Sequence, residues 1–173
     1  MKGRHMVFVR IPGRVEDGNI RLRPLRIFDG PFLRRAFRQS DVFVPNGLNE
    51  PVEGSWFDVW WCLRKAFVFS YCIEIDSRLS GFVGLHDLLP GKHAEISLTL
   101  FDRRMRGQGY GRRVLAMLER SLELSSLVDT VVARVKEDNQ GAVRFWERVG
   151  FGIVGPFGEE GAILMSKNLK NHL

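Results

Sequence analysis

The chain has 173 residues, 45% hydrophobic and 27% charged, with a formal net charge of +6. That balance excludes collagen, a disordered tail and a coiled coil, and it predicts one globular domain over residues 1–173 with a core large enough to need no staples. Two cysteines, Cys62 and Cys72, exclude a disulfide framework and fit a reducing compartment. No apolar run is long enough for a membrane span, and Met1 to Gly13 lacks the apolar stretch of a secretory signal, so the expectation is a cytoplasmic protein. The basic excess suits an anionic partner, but it is spread along the chain with no Lys/Arg tract, which argues against nucleic acid.

In chain order, Val7–Val9 and Ile20–Leu25 read as short strands joined by a turn-rich piece containing Pro12, Gly13, Asp17 and Gly18. Asp29 is placed to cap a helix with Pro31 in its first turn, running to about Arg38. Trp56, Phe57, Trp60, Trp61 and Leu63 are spaced as an amphipathic helix over residues 53–66. Phe67–Ile75 and Leu79–Leu85 form a hairpin about Ser77, and Ala94–Leu100 follows as a third strand. Alternation there puts Ile96, Leu98 and Leu100 on one face and Glu95, Ser97 and Thr99 on the other. A helix from about Tyr110 to Ser125 carries an apolar stripe of Val114, Leu115, Leu118 and Leu122. Thr130–Val135 reads as a buried strand, and Asn139–Val149 as a short helix stopped by Gly150. Phe151–Val154 and Ile163–Ser166 close the chain as strands, separated by Gly155-Pro156 and Glu159-Glu160-Gly161. Antiparallel strands first, then strand–helix–strand–helix–strand, imply an α/β (α+β) fold: a mixed, mostly antiparallel sheet with helices on both faces.

The most informative stretch is Arg103-Arg104-Met105-Arg106-Gly107-Gln108-Gly109-Tyr110-Gly111-Arg112-Arg113, between a strand and a helix. Glycines at alternate positions allow positive φ and close approach to the backbone, and successive N–H groups at a helix start form an anion nest. Neither a P-loop nor a dinucleotide fingerprint fits: no Lys-Ser or Lys-Thr follows Gly111, and the third glycine falls at the wrong spacing.

Arg106-x-x-Gly109-x-Gly111 resembles the acetyl-CoA-binding motif of GNAT-family N-acetyltransferases. Downstream, Asn139-Gln140-Gly141-Ala142-Val143-Arg144-Phe145-Trp146, ending in Gly150-Phe151, is similar to the family's second conserved segment. Ile20-Arg21-Leu22-Arg23-Pro24-Leu25 with Asp29 resembles the opening of members that acetylate ribosomal-protein N-termini. The resemblance implies a GNAT-like fold and acetyl transfer from acetyl-CoA to a primary amine, on a peptide or a small molecule, by direct attack in a ternary complex. A non-catalytic acyl-CoA sensor is the alternative. It implies that Gly107, Gln108, Gly109, Tyr110, Gly111, Arg106 and Arg112 hold the cofactor's phosphates. Backbone around Leu98 and Leu100 is expected to bind the pantetheine and thioester, with Asn139 and Trp146 contacting the cofactor. Dimerisation through the last strands is a family habit that nothing in the sequence decides.

Acetyl transfer needs an amine stripped of its proton, a stabilised oxyanion and a leaving thiolate. Glu95, on the polar strand face and aligned with a family glutamate, is the candidate base; its other reading is a strand glutamate paired with a nearby arginine. The family's proton-donating tyrosine is replaced by Trp146, whose indole N–H is not titratable at neutral pH. Trp146 either hydrogen-bonds the sulfur or fills the core. Tyr71, Ser97 and water are the possible substitutes. Asn139 is either a cofactor ligand or a plain N-cap. Glu50, Glu53, Asp58 and Glu159-Glu160 could make an acidic acceptor cleft. His86 and His93 have no metal spacing with either cysteine, so no metal is expected.

Overall fold

The computed structural model describes residues 13–39, 42, 69–158 and 161–170. The expected strand at Val7–Val9, the aromatic helix over 53–66, Cys62 and the acidic residues Glu50, Glu53, Asp58, Glu159 and Glu160 lie outside those residues. The described elements are β1 (Val15–Asp17), β2 (Ile20–Pro24), α1 (Gly30–Ala36), β3 (Phe69–Ile75), β4 (Arg78–Leu89) and β5 (His93–Leu100). They continue with α2 (Tyr110–Ser125), β6 (Thr130–Lys136), α3 (Gln140–Arg148), β7 (Gly152–Phe157) and β8 (Ala162–Asn168). The strands form one sheet in the order β1-β2-β3-β4-β5-β6-β8-β7. Among the described residues β5–β6 is its one parallel pairing.

The turn-rich piece expected before Ile20 contains a strand. Val15–Asp17 pairs with Ile20–Leu22 around Gly18-Asn19, with Gly18 at φ +56°. This three-residue strand was masked in the sequence by the turn residues around it; a partner on α2 holds it. Arg113 donates from Nε to Asp17 Oδ2 at 2.8 Å and from its terminal nitrogens to Asp17 O and Asn19 Oδ1. Asp76 and Ser77 both take positive φ, +49° and +61°, as a tight β3–β4 hairpin requires. Helix α1 ends two residues short of the expected Arg38.

At the other edge, Gly155-Pro156 does not separate strands but lies within β7, where the pairing with β8 slips between Ile153 and Gly155. β7 ends the sheet, so a proline there removes no ladder donor from a central strand, and the bulge absorbs the slip.

The alternation of β3, β4 and β5 divides the core. Tyr71, Ile73, Val83, Leu85, Ala94 and Ile96 pack beneath α2, α3 and β6 in the larger cluster. Cys72, Phe82 and Phe101 pack with Leu33, Ala36 and Phe37 of the α1 side in the smaller one. The apolar stripe of α2 is fully used: Val114, Leu115, Leu118 and Leu122 are all buried.

Gly81 sits where strands crowd. A Cβ there would lie 2.4 Å from Thr99 O and 3.1 Å from Ile73 Cδ1. The oxygen belongs to backbone and cannot rotate away, so Gly81→Ala is expected to lower stability by about 1–3 kcal/mol, as overpacking does. Urea unfolding followed by tryptophan fluorescence measures it; an unchanged midpoint refutes the crowding.

Candidate active site

Two features of the fold meet at the C-terminal half of β5. The first is an opening in the sheet. β5 stays paired with β4 as far as Leu100, but its parallel ladder with β6 covers only His93↔Thr130, Ala94↔Val131 and Glu95↔Val132. Beyond Glu95, residues 96–100 of β5 and 133–136 of β6 diverge, while β6 goes on pairing with β8 up to Lys136↔Ala162. Backbone groups along the open edge of β5 are therefore available to a ligand rather than to a strand.

The second feature is the loop that follows. Asp102 accepts from Arg104 N–H at 2.9 Å and caps the short 3-10 turn Arg103–Met105. Gly107 and Gly109 then take φ +76° and +84°, and a Cβ at either would meet nothing within 4 Å. The two glycines thus border open space directly before the first turn of α2, whose N–H groups and dipole favour an anion. Gly111 serves differently: a Cβ there would lie 3.1 Å from the Phe145 ring and 3.8 Å from Leu98 Cδ2, so its smallness lets α2 approach α3 and β5.

The arginines of this stretch divide by task. Arg106 turns inward and donates to Leu100 O, at 2.9 Å from a terminal nitrogen and 3.3 Å from Nε, tying the loop to the end of β5. Arg104 pairs with Asp102, and Arg113 with Asp17. Gln108 donates to Arg104 O and stiffens the loop. Tyr110 is half-buried against the core, and Arg112 is exposed. Arg112, Glu119, Arg148 and Lys167 line a cavity of about 540 Å³ beside α2, where Lys167 Nζ binds both oxygens of Glu119 at 2.8 Å.

Of the remaining sequence candidates, Leu98 is half-buried and Leu100 buried, both on the α2 side of the open strand. Asn139 caps α3, its Oδ1 accepting from Ala142 N–H at 3.1 Å. Trp146 is 6% exposed and packs with tilted geometry against Phe151 at 4.7 Å and edge-on against Phe145 at 5.1 Å between ring centroids. Tyr71 is buried in the same cluster, and burial pushes its phenol up to about 12. A group that holds its proton so firmly is a poor donor at neutral pH.

Glu95 is the last β5 residue paired with β6 and lies on the face opposite α2. Its Oε2 accepts from Arg134 Nε at 2.9 Å and from a terminal nitrogen of the same guanidinium. Arg134 also reaches Asp87 at 3.2 Å and lies over the Phe157 ring, 4.7 Å from its centroid. Hydrogen bonding to Glu95 raises the arginine's pKa further. The nearby arginine of the second reading of Glu95 thus exists, as Arg134 of β6. The sequence held no signal for it, because the pairing follows from a parallel register. Glu95 Oε1 has no hydrogen-bond partner among the described residues.

No helix among the described residues is long and apolar enough to cross a membrane, and no three of their His, Cys, Asp or Glu side chains gather as a metal set. No curated protein sequence matches the chain. Among solved structures, an acetyltransferase from Agrobacterium tumefaciens superposes with a TM-score of 0.75 at 19% identity, over 96% of this chain and 99% of that one. The Salmonella typhimurium acetyl transferase that modifies the N-terminal serine of ribosomal protein L7/L12 gives 0.73 at 17% identity, over 91% and 98%. A Vibrio cholerae spermidine N-acetyltransferase, solved with CoA and spermine, gives 0.71 at 18%, over 88% and 96%. At such identities the likeness is one of fold. The sequence profile of the Acetyltransferase (GNAT) family matches residues 34–151, a span that contains β3 to α3, the glycine loop and the open edge of β5. With that match over more than half of its length, the chain belongs to the GNAT acetyltransferase family, whose acetyl donor is acetyl-CoA.

Proposed function

We propose that this chain acts as one domain that transfers an acetyl group from acetyl-CoA to a primary amine, on a peptide N-terminus or a small polyamine-like molecule. One observation carries the reading: the hollow glycine loop at the start of α2 opens onto the unpaired edge of β5. The residues fit the donor. Gly107, Gln108, Gly109, Tyr110 and Gly111 would hold its pyrophosphate with backbone N–H groups, and Arg112 would add positive charge at the surface. The backbone of Leu98 and Leu100 would take the pantetheine arm, with Asn139 and Trp146 fixing the α3 wall. Bound acetyl-CoA supplies the acetyl group as a thioester open to attack by an amine.

The chain's own part is to prepare the amine and steady the developing charge. Open-edge N–H groups of β5 are placed to donate to the oxyanion. Glu95 takes the proton of the incoming ammonium on Oε1, while Arg134 holds Oε2 and fixes the carboxylate's direction. Glu95 and Asp87 on one face favour a cationic acceptor. The spermidine and ribosomal-protein enzymes of like fold mark the two acceptor classes to test. The two-cysteine composition supports a cytoplasmic setting.

The test is CoA release with acetyl-CoA and two acceptors, spermidine and a peptide beginning with serine. Glu95→Gln is expected to lower kcat about 10²–10⁴-fold, the usual worth of a positioned base, and to leave thermal stabilisation by acetyl-CoA intact. Undiminished turnover in Glu95→Gln removes Glu95 from the chemistry.

A further inference from the structure

A polar strip on the Glu95 face is not accounted for by the loop or by the glutamate. Ser70 of β3, Gly84 of β4 and Ser97 of β5 are successive cross-strand partners and share that face. In the adjoining row His86 of β4 lies opposite Glu95. Ser97 Oγ is 2.6 Å from His86 Nε2. Ser70 is 9% exposed, yet its Oγ has no hydrogen-bond partner among the described residues, and a Cβ on Gly84 would lie 3.1 Å from it. A Cβ there would also lie 2.9 Å from the Phe82 ring, so glycine at 84 lets that ring and the Ser70 hydroxyl close up on the strand beside Ser97 and His86. Ser97 stands just past Glu95, where β5 leaves β6.

We propose that Ser97 and His86 are the proton-handling pair of the acetyl transfer: Ser97 Oγ contacts the acceptor amine, and His86 acts through it. This rests on the acetyl-transfer reading above. An ammonium must lose two protons to become an amide nitrogen. Glu95 takes the first. As the N–C bond forms and the C–S bond breaks, the nitrogen passes the second to Ser97 Oγ while the serine's own proton moves to His86 Nε2. The imidazolium then returns that proton to the departing sulfur, directly or through water, so serine and histidine end unchanged. This relay fills the place left by the tyrosine that Trp146 replaces. Among the described residues, the charged groups about His86 are Glu95 across the strand, Asp87 beside it and Arg134, which binds both carboxylates. Imidazole is the side chain whose ordinary pKa lets it both take and give a proton near neutrality.

The test has two arms. In the first, NMR of ¹⁵N-histidine-labelled protein without substrates, assigned with His86→Gln, reads the imidazole. His86 Nε2 is expected to be unprotonated at about pH 8 and to change its shift in Ser97→Ala. In the second, turnover is followed with acetyl-CoA and the serine peptide or spermidine. Ser97→Ala and His86→Gln are expected to lower kcat about 10²-fold or more with an unchanged KM for acetyl-CoA. Ser97→Thr restores the rate, and the acidic limb of the kcat pH profile changes in His86→Gln, while the part owed to Glu95 remains. An Nε2–H tautomer, or an active wild type with unaltered variants, overturns the pair and leaves the acetyl-transfer reading standing. A wild type that binds acetyl-CoA and acetylates neither amine overturns both.

Discussion

Arg23→Met is expected to destabilise the protein by about 3–5 kcal/mol, the usual result of removing one partner from a buried ion pair. Arg23 is 8% exposed and Asp29 7%. Two parallel bonds of 2.8 Å join them, and Arg23 Nε reaches Glu74 Oε1 at 2.6 Å. Cys72 Sγ, its thiol pushed up by burial, donates to Asp29 Oδ2 at 3.4 Å. Methionine keeps most of the arginine's volume but leaves Asp29 and Glu74 without their main partner in the interior. The midpoint of urea unfolding reads the loss, and a change below about 1 kcal/mol would mean that water relieves the site.

The same site predicts a pH dependence. Burial acts to raise the pKa of Asp29, but the bonds from Arg23 and from the Arg26 N–H outweigh it and hold the carboxyl below its ordinary value. A group depressed in the folded state contributes stability above its unfolded pKa, near ~3.9, and loses it as pH falls through the folded value. Wild-type stability should therefore fall on acidification below about pH 5. Asp29→Asn, already destabilised at pH 7, should show a shallower fall. Parallel acid slopes in the two proteins would remove Asp29 from the linkage.

The second large effect concerns the donor. Acetyl-CoA at a hundredfold excess over its Kd should stabilise the protein by about 2.7 kcal/mol, which for a chain of this size is roughly 5–10 °C in Tm. Free CoA should act similarly and ATP should not, because ATP has no pantetheine arm for the open edge of β5. Gly109→Trp is expected to abolish the shift. Gly109 has φ +84°, with open space where a Cβ would point, so an indole would fill the hollow proposed to take the phosphates. A non-glycine residue at that φ also costs about 1–2 kcal/mol. The variant should therefore start from a lower Tm and still unfold cooperatively. A full acetyl-CoA shift in folded Gly109→Trp would mean that the phosphates sit elsewhere.

Several elements were legible because their signals are local. The stripe of α2, the alternation of β5, the Asn139 cap and the Gly150 stop each lie within a few residues, and the structure has them where the pattern puts them. The glycine loop was legible for the same reason, since its shape resides in local backbone conformation. The misread segments were those in which a partner overrides local chemistry. β1 forms amid turn residues because Arg113 binds Asp17, and Pro156 is kept within β7 because it lies on the sheet's edge. Asp29 begins α1 as expected, yet its carboxylate makes no cap bond to that helix and is spent on Arg23 and the Arg26 N–H.

The class of fold, the family and the glycine loop proposed for the donor's phosphates were readable from the chain alone. Each of these rests on spacing along the chain, and spacing survives without coordinates. Folding in three dimensions was needed to show which arginine faces Glu95, which arginine of the loop turns inward, and that β5 parts from β6 after Glu95. It also brought Ser97 to His86, which the chain keeps eleven positions apart. These are matters of register between distant strands. Register is fixed by the packing of the whole sheet, and no local pattern of residues encodes it.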